Sequence, residues 1–513
     1  MANRRPRSSI QNFCVSAAEM QAIETQLFDS GFPIAALMEK VAGRIVDYGL
    51  EHWERSQPVG VLVGPGHNGG DALVIARELY LQGYDVVIYA PFERCKPLTA
   101  DHGRYCRSLG IPWYSSWAEL ESVLDRCALV VDGLFGFGLS RPLTGEVAAA
   151  VTAINQSSVP VVSIDLPSGI HTDSGEPLGT AIRAQTTLCL GLWKRACLQE
   201  AAQPYLGAAR LIDFDIPLAN IDAVVGARPK VQRLTHERAL QALPLKRSPV
   251  AHKYTVGQLL VIAGSRQYVG AALLTGYGAV ASGVGMVTLV VPESLRSHIV
   301  TMLPGALVIG AQETPAGTIA ALPPLDRYNA IACGPGLAQV DWLPEVLASA
   351  APLLLDADGL NGITAQQLTE RQGSTVITPH PGEFRRLFPE LTVGHEGALK
   401  AAQLTGATVV LKGAKVAMAT PEGLWLNPES TPALARGGSG DVLTGLMGGL
   451  MAQRLAQDAE QAMIDAVLGA VWWHAQAGIY AHQRRTVLGV DPRELARCLN
   501  SALAACLNKC AKP

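Results

Sequence analysis

Short continuous apolar runs, separated by stretches of helical spacing, dominate this chain. In the first part they read VGVLVG (59–64), DVVIYAP (85–91), ALVVDGLFG (128–136), VPVVSIDLP (159–167) and TTLCLGL (186–192). A strand apolar at every position has no solvent face and must be covered on both sides. With helical segments such as 71–82 between the runs, the pattern predicts an α/β fold, a parallel sheet between two helical layers. The residues before about 58 read as helical, through VSAAEMQAIETQLFDSG and ALMEKVAGRIVDYGLEHW.

A second series starts at QLLVIAGS (258–265) and runs through MVTLVVP, AIACGPG, PLLLDADG, STVITPHPG, TVVLKGA and KVAMATP. It closes on a glycine loop and a helical region over 441–498. Between 216 and 250 the alternation lapses into prolines and clustered charges. At 513 residues the chain is too long for one core. The expected division is a first domain over 1–218, a linker over 219–243 and a second domain over 244–513. No repeat relates the halves, so two different α/β domains are expected.

The bulk numbers exclude several classes. Hydrophobic residues make up 49% and charged residues 17%, the balance of a globular chain. A net charge of −3 leaves no electrostatic footprint for nucleic acid or an anionic membrane. The run GAALLTGYGAVASGVGMVTLVV (270–291) is long enough to test as a membrane span. Its glycines and hydroxyls favour a buried helix leading into a buried strand. The basic start MANRRPRSS lacks an apolar segment after it, so no signal peptide is expected. Ten cysteines show no C-x-x-C pair, and the cluster Cys498, Cys506 and Cys510 has no histidine nearby. Reduced thiols are expected there rather than zinc, with the cytoplasm as compartment. A homo-oligomer is left open.

GPGHNG (64–69) fits the dinucleotide fingerprint G-x-G-x-x-G between a strand and a helix. That fold also needs an acidic residue ending the second strand to hold the ribose. Here the strand ends Tyr89-Ala90-Pro91, with Glu93 only in the loop beyond. Two other strand ends carry aspartates, Asp132 in VVDGLFGFG and Asp165 in SIDLPSG. Ligands of open parallel sheets bind at strand C-termini, where Asn68, Asp71, Asp132, Asp165 and Ser168 would converge. The competing reading is that such aspartates only cap helices or hold loops.

Over residues 10–216 the chain resembles NAD(P)H-hydrate epimerase, through VSAAEMQAIE, GFPIAALMEKVAG, GPGHNGGD, DGLFGFGLSRPLTGE and SIDLPSG. The resemblance implies a Rossmann-like three-layer domain whose substrate is NADH or NADPH hydrated at the nicotinamide ring, with R and S epimers interconverted. By it, His67, Asn68, Gly69, Gly70 and Asp71 line the substrate site, as do Gly136, Phe137, Gly138, Leu139, Ser140, Arg141 and Pro142. Asp165 becomes the catalytic acid/base, and Asn68, Asp132 and Ser168 hold potassium. His67 and Ala72 depart from the family's asparagine and glycine.

The second half has no P-loop motif. Its loop Ala435-Arg436-Gly437-Gly438-Ser439-Gly440-Asp441 opens a helix, where backbone N–H groups attract phosphates. In that setting Asp441 reads as a base for an attacking hydroxyl rather than a dipole partner. With HKYTVGQLLVIAGS, LDADGLN, TPHPGEFRRL, VVLKGA and GGSGDVLTG, residues 245–490 resemble ADP/ATP-dependent NAD(P)H-hydrate dehydratase, of the ribokinase-like superfamily. The resemblance implies phosphorylation of the S epimer's hydroxyl by ADP, or ATP, with magnesium. Phosphate then leaves and restores the reduced nicotinamide. By it, Asp441 is the base, and Gly336, His380 and Asp441 contact the hydrate. Lys412, Gly413, Ala414, Lys415, Val416 and Gly440 contact the nucleotide. Ser439 and Val416 each replace a usual threonine. The alternatives are a small-molecule kinase fused to a non-catalytic nucleotide-binding module and, last, an oxidoreductase.

Overall fold

The computed structural model describes residues 6–457 and 462–510, and the chain separates into two compact units, Met1–Pro229 and Lys230–Pro513. Both are α/β, as the apolar runs predict.

The first unit is built on seven strands: β1 (Val59–Val63), β2 (Val86–Tyr89), β3 (Trp113–Tyr114), β4 (Leu129–Gly133), β5 (Val161–Ile164), β6 (Thr186–Leu190) and β7 (Ala208–Ile212). Their order across the sheet is β3-β2-β1-β4-β5-β6-β7, with every pair parallel. The chain winds outward from β1 in one direction and then from β4 in the other. This leaves a crevice at the strand C-termini between the two, the usual ligand position of a doubly wound sheet. Three helices matter for the site: α1 (Ala17–Asp29), α2 (Ile34–His52) and α3 (His67–Leu81). Ser16 and Glu19 form a reciprocal cap that fixes the start of α1. Helix α2 buries Leu37, Met38, Val41, Ala42 and Ile45 in the same core as Leu73 and Val74 of α3. A separate parallel pair joins Cys14–Val15 to Trp193–Lys194, opposing Val15 to Lys194.

The second unit carries ten strands: β8 (Val231–Arg233), β9 (Gln258–Ile262), β10 (Met286–Pro292), β11 (Leu307–Ala311), β12 (Ala330–Cys333), β13 (Leu353–Leu355), β14 (Thr375–Ile377), β15 (Thr408–Leu411), β16 (Ala417–Thr420) and β17 (Gly423–Leu426). Their order is β8-β17-β16-β15-β14-β13-β12-β9-β10-β11, parallel except where β16 runs antiparallel to β15 and β17. Helices α4 (Val269–Ala281) and α5 (Ser439–Leu455) cross in close contact, and α6 (Ala462–Arg485) and α7 (Pro492–Cys510) complete the helical layer. A Cβ on Gly445 would lie 1.8 Å from the Thr275 carbonyl oxygen, so only glycine permits this approach. The 270–291 run is a half-buried helix passing into the buried β10, and among the described residues no helix is long and apolar enough to cross a membrane.

The expected linker over 219–243 differs from what is observed. It contains most of a helix, Leu218–Val225, then β8, then a helix His236–Ala242. Strand β8 pairs with β17 and belongs to the second sheet. Leu234, Ala239 and Ala242 are buried in the second core, and Ile221 in the first. Prolines and charges between these short elements masked their apolar positions. Cys498 and Cys506 are free thiols, the Cys510 side chain lies outside the described residues, and the described residues hold no His/Cys/Asp/Glu group suited to a metal ion. Residues 1–5 of the basic start also lie outside the described residues.

Candidate active sites

At the crevice of the first sheet a cavity of about 590 Å³ opens. Loops following β1, β4, β5 and β6 line it, and α1 contributes Gln21, Glu24 and Thr25. On its floor Asp165 adopts φ 69°, a left-handed conformation that is uncommon outside glycine. Its Oδ2 accepts from the Phe137 N–H at 2.8 Å and its Oδ1 from the Leu190 N–H at 3.3 Å. The Lys194 ammonium sits 2.5 Å from Oδ1 and also donates to the Leu190 carbonyl. Lys194 is fully buried. Burial works against its charge, but the Asp165 carboxylate and its neighbours hold its pKa above the ordinary lysine value.

The other predicted residues divide into two groups. His67, Asn68, Asp71, Gly136, Phe137, Gly138, Leu139, Ser140, Arg141 and Asp165 all line the cavity. Gly69, Gly70 and Pro142 are not on the lining. A Cβ on Gly69 would meet the Gly64 carbonyl oxygen at 1.9 Å, and one on Gly70 the Met38 methyl at 2.5 Å. These glycines let the loop pack behind the site. Gly136 leaves space on the cavity side, because a Cβ there would lie 3.0 Å from both Asn68 Oδ1 and Asp165 Oδ2. Asn68 Nδ2 is buried without a partner.

Asp132 and Ser168 come together beneath the cavity. The buried Asp132 carboxylate accepts from the Ser168 hydroxyl at 2.6 Å, the Ser168 N–H at 2.9 Å and the Ser163 hydroxyl at 2.8 Å. The Leu134 N–H donates to it at 3.3 Å. Burial raises the Asp132 pKa against these donors.

Three charged lining residues escaped the sequence reading: Lys194, Glu24 and Lys96. Burial pushes the Glu24 carboxyl up to about 7, Lys194 opposing and Asp165 adding to the shift. Burial, with Glu24 and Asp165 nearby, raises Asp71 well above the carboxylate range. Burial, then Lys96, lowers His67. Glu24 was hidden because one acid in an amphipathic helix looks solvated. Lys194 left one faint signal, a cation just past the apolar run TTLCLGL and Trp193.

The second site forms where α5 begins. Gly438 takes a left-handed φ of 93° ahead of the helix, and Asp441 lies in the first turn. Beneath it the buried Asp356 accepts from Lys412 Nζ and from the Thr444 hydroxyl, each at 2.6 Å. Lys412 also lies 3.9 Å from Glu383. Gly440 faces this cluster, since a Cβ there would be 3.7 Å from Lys412 Nζ. Burial, then the negative charge of Asp356, pushes Asp441 up to about 6, while Lys412 opposes the shift. Ala357, beside Asp356, holds φ at 47°. His474 supports the turn from behind, placed 3.0 Å from the Ser439 carbonyl. Burial lowers its pKa to about 4.

The remaining predicted residues are spread around this cluster. His380 caps the helix Pro381–Leu387, its Nδ1 accepting from the Gly382 and Glu383 N–H groups at 2.9 and 3.3 Å. Glu383 returns the contact by accepting from the His380 N–H at 2.7 Å. Gly336 follows β12 with φ 67°, and a Cβ there would lie 2.8 Å from Tyr268 Cβ. Within the Lys412-Gly413-Ala414-Lys415-Val416 segment Lys412 is bonded to the Asp356 cluster. Lys415 donates to the Pro428 carbonyl, and Val416 packs against the core. Asp356, Glu383 and Thr444 are the contributors that sequence reasoning missed. The first two lie inside the quoted LDADGLN and TPHPGE motifs.

Comparison with known proteins agrees with this division. Residues 34–196 match the family described as YjeF-related protein N-terminus, and residues 259–501 match NAD(P)H-hydrate dehydratase. The bifunctional NAD(P)H-hydrate repair enzyme of Thermosynechococcus vestitus is 52% identical, covering 96% of this chain and 98% of its own. That of a Synechocystis strain is 51% identical, covering 94% of each. A crystal structure of ADP/ATP-dependent NAD(P)H-hydrate dehydratase from Bacillus subtilis, co-crystallised with ATP and magnesium, is 32% identical with a TM-score of 0.45. It covers 53% of this chain and 97% of its own. This chain therefore belongs to the bifunctional NAD(P)H-hydrate repair enzymes, an epimerase and a dehydratase of hydrated NAD(P)H in one polypeptide.

Proposed function

We propose that the first cavity epimerises the hydrate around Asp165, and that Asp441 is the base of the second site. The observation that carries the first assignment is the buried Asp165–Lys194 pair on the cavity floor, 2.5 Å apart. A carboxylate fixed there receives the hydroxyl proton of the hydrated ring carbon, and its ammonium partner stabilises negative charge beside it. His67, Asn68, Asp71 and the 136–141 loop hold the dinucleotide. Gly69 and Gly70 contribute through the shape of the loop, with Pro142 next to it.

Potassium belongs to this reading through Asn68, Asp132 and Ser168. Asp132 and Ser168 are hydrogen-bonded at 2.6 Å, Ser168 Oγ lies 3.2 Å from the Phe135 carbonyl, and these oxygens with that of Asn68 are of the hard type that suits such a cation. The cation would supply fixed positive charge beneath the substrate.

In the second site Asp441 makes no hydrogen bond or ion pair with the described chain, so its carboxylate is open to a hydroxyl. It removes the proton of the S hydrate's hydroxyl as that oxygen attacks the terminal phosphorus of ADP or ATP and displaces AMP or ADP. Phosphate then departs in place of hydroxide, and the adjacent ring carbon loses a proton to water as the double bond reforms. Lys412 and the Gly440 turn face the phosphates, with Ala414, Lys415 and Val416 along the nucleotide. His380 and Gly336 border the hydrate. The Asp356 and Glu383 carboxylates beside Lys412 are hard donors that fit magnesium, which would neutralise phosphate charge.

The test is restoration of reduced-nicotinamide absorbance from a mixed R and S hydrate, with ADP and ATP compared. Complete recovery is expected with the preferred nucleotide. Recovery of the S fraction alone, beyond the spontaneous rate, would overturn the Asp165 site. Accumulation of a stable phosphorylated product would favour a kinase instead.

A further inference from the structure

Inverting a carbinolamine carbon by ring opening needs two proton transfers at once. One group removes the hydroxyl proton while another protonates the ring nitrogen as the carbon–nitrogen bond breaks. Asp165 supplies the first. It cannot supply the second, because one carboxylate cannot accept a proton and donate another in the same step, and its contacts to Phe137, Leu190 and Lys194 hold it in place. Lys194 cannot supply it either, since it is held between Asp165 and the Leu190 carbonyl.

We propose that Glu24 is the second proton-transfer residue of the epimerisation, working as a pair with Asp165. Glu24 lies on α1 and lines the same cavity as Asp165, Asp71 and Lys194. Its carboxyl makes no hydrogen bond or ion pair with the described chain, so nothing in the fold uses it. The titratable and charged groups around it are Asp165 after β5, Lys194 after β6, Lys96 ahead of the helix Pro97–Ser108, and Asp71 and His67 on α3. Three carboxyls therefore share one buried ammonium, and Asp165 has it. Burial raises both of the others, Glu24 to about 7, and the Asp71→Asn variant distinguishes them. A proton donor works best when its pKa lies near the working pH.

The step balances without an added reagent. Asp165 takes the hydroxyl proton as the carbonyl forms. The carbon–nitrogen bond breaks with its electron pair going to nitrogen, and Glu24 gives that nitrogen a proton. Rotation about the adjacent carbon–carbon bond turns the other carbonyl face inward. On closure, nitrogen attacks the carbonyl carbon, Glu24 recovers its proton, and Asp165 returns its own to oxygen. The pair ends in its starting state. This assignment rests on Asp165 as the partner, so the test includes both residues.

Full-length Glu24→Gln is assayed with purified R hydrate for epimerisation, and with S hydrate, ADP and magnesium for dehydration. A kcat loss of about 10²-fold or more in epimerisation is expected, with KM nearly unchanged. Dehydration by the same chain stays at the wild-type rate, which shows that the second unit is intact, while the unchanged KM for R hydrate shows that the first unit still folds and binds. Wild-type epimerisation falls as pH rises and Glu24 loses its proton. Glu24→Gln lacks that limb, and Glu24→Asp keeps it at a displaced pH. Epimerisation by Glu24→Gln at the wild-type rate, or with the wild-type limb, overturns the proposal. So does removal of the limb by Asp71→Asn in place of Glu24→Gln. If Asp165→Asn is also fully active, the failure lies with the Asp165 assignment itself.

Discussion

Asp441 and Asp356 illustrate how one carboxylate sets the working range of another. Asp441 must be ionised to accept a proton, so dehydration should rise with pH through about 6. Asp356→Asn removes the nearby negative charge, and the acid limb of kcat should move to lower pH. A pH–rate profile on S hydrate checks both the limb and its direction. In the first site Lys194→Met leaves the Asp165 carboxylate buried without its cation. Removing one partner of such a pair costs about 3–5 kcal/mol. Epimerisation should be lost with it, while denaturant melts followed in parallel with dehydration locate the damage in the first unit. Asp165, Asp441 and Asn68 were legible in the sequence because they sit at strand ends or helix starts in short glycine-containing motifs. Glu24 and Lys194 were not. Their roles depend on what α1 and the segment after β6 bury them against, and no local pattern encodes that.

The elements were more readable than the residues. Continuous apolar runs foretold the parallel strands, and the glycine loops foretold the starts of α3 and α5. The expected linker over 219–243 contains the boundary between the units, but its short elements went unread because β8 is three residues long and its pairing partner, β17, lies almost two hundred residues away. Packing at Gly445 also escaped, since a helix glycine gives no sign of a neighbour on its open side. Gly445→Ala would drive a methyl into the Thr275 carbonyl and force α4 and α5 apart. Overpacking of this kind costs about 1–3 kcal/mol. Because α5 carries Asp441 at its start, dehydration should fall more steeply than stability, and epimerisation should be unchanged. Thermal melts and both assays on the same preparation check this.

At the scale of the whole chain, the boundary between Pro229 and Lys230 predicts where it can be divided. A piece over 230–513 should fold and consume S hydrate with ADP, leaving R hydrate to spontaneous epimerisation. A piece over 244–513 lacks β8 and the helix His236–Ala242. It exposes the residues that packed against Leu234, Ala239 and Ala242, and it should be less stable or aggregate. Expression of the two pieces, with circular dichroism and the S-hydrate assay, separates these outcomes.

The pairing of Val15 with Lys194 ties the first site to the order of synthesis. Ribosomes add about 5–20 residues per second, so roughly 10–40 s separate the two strands as they are made. During that interval the earlier strands can assemble, but the lysine that Asp165 needs has not yet met its backbone partner. Lys194 and Phe214 also line the cavity, so the site closes only after most of the sheet exists, and a nascent chain stalled short of Lys194 would have no epimerase activity.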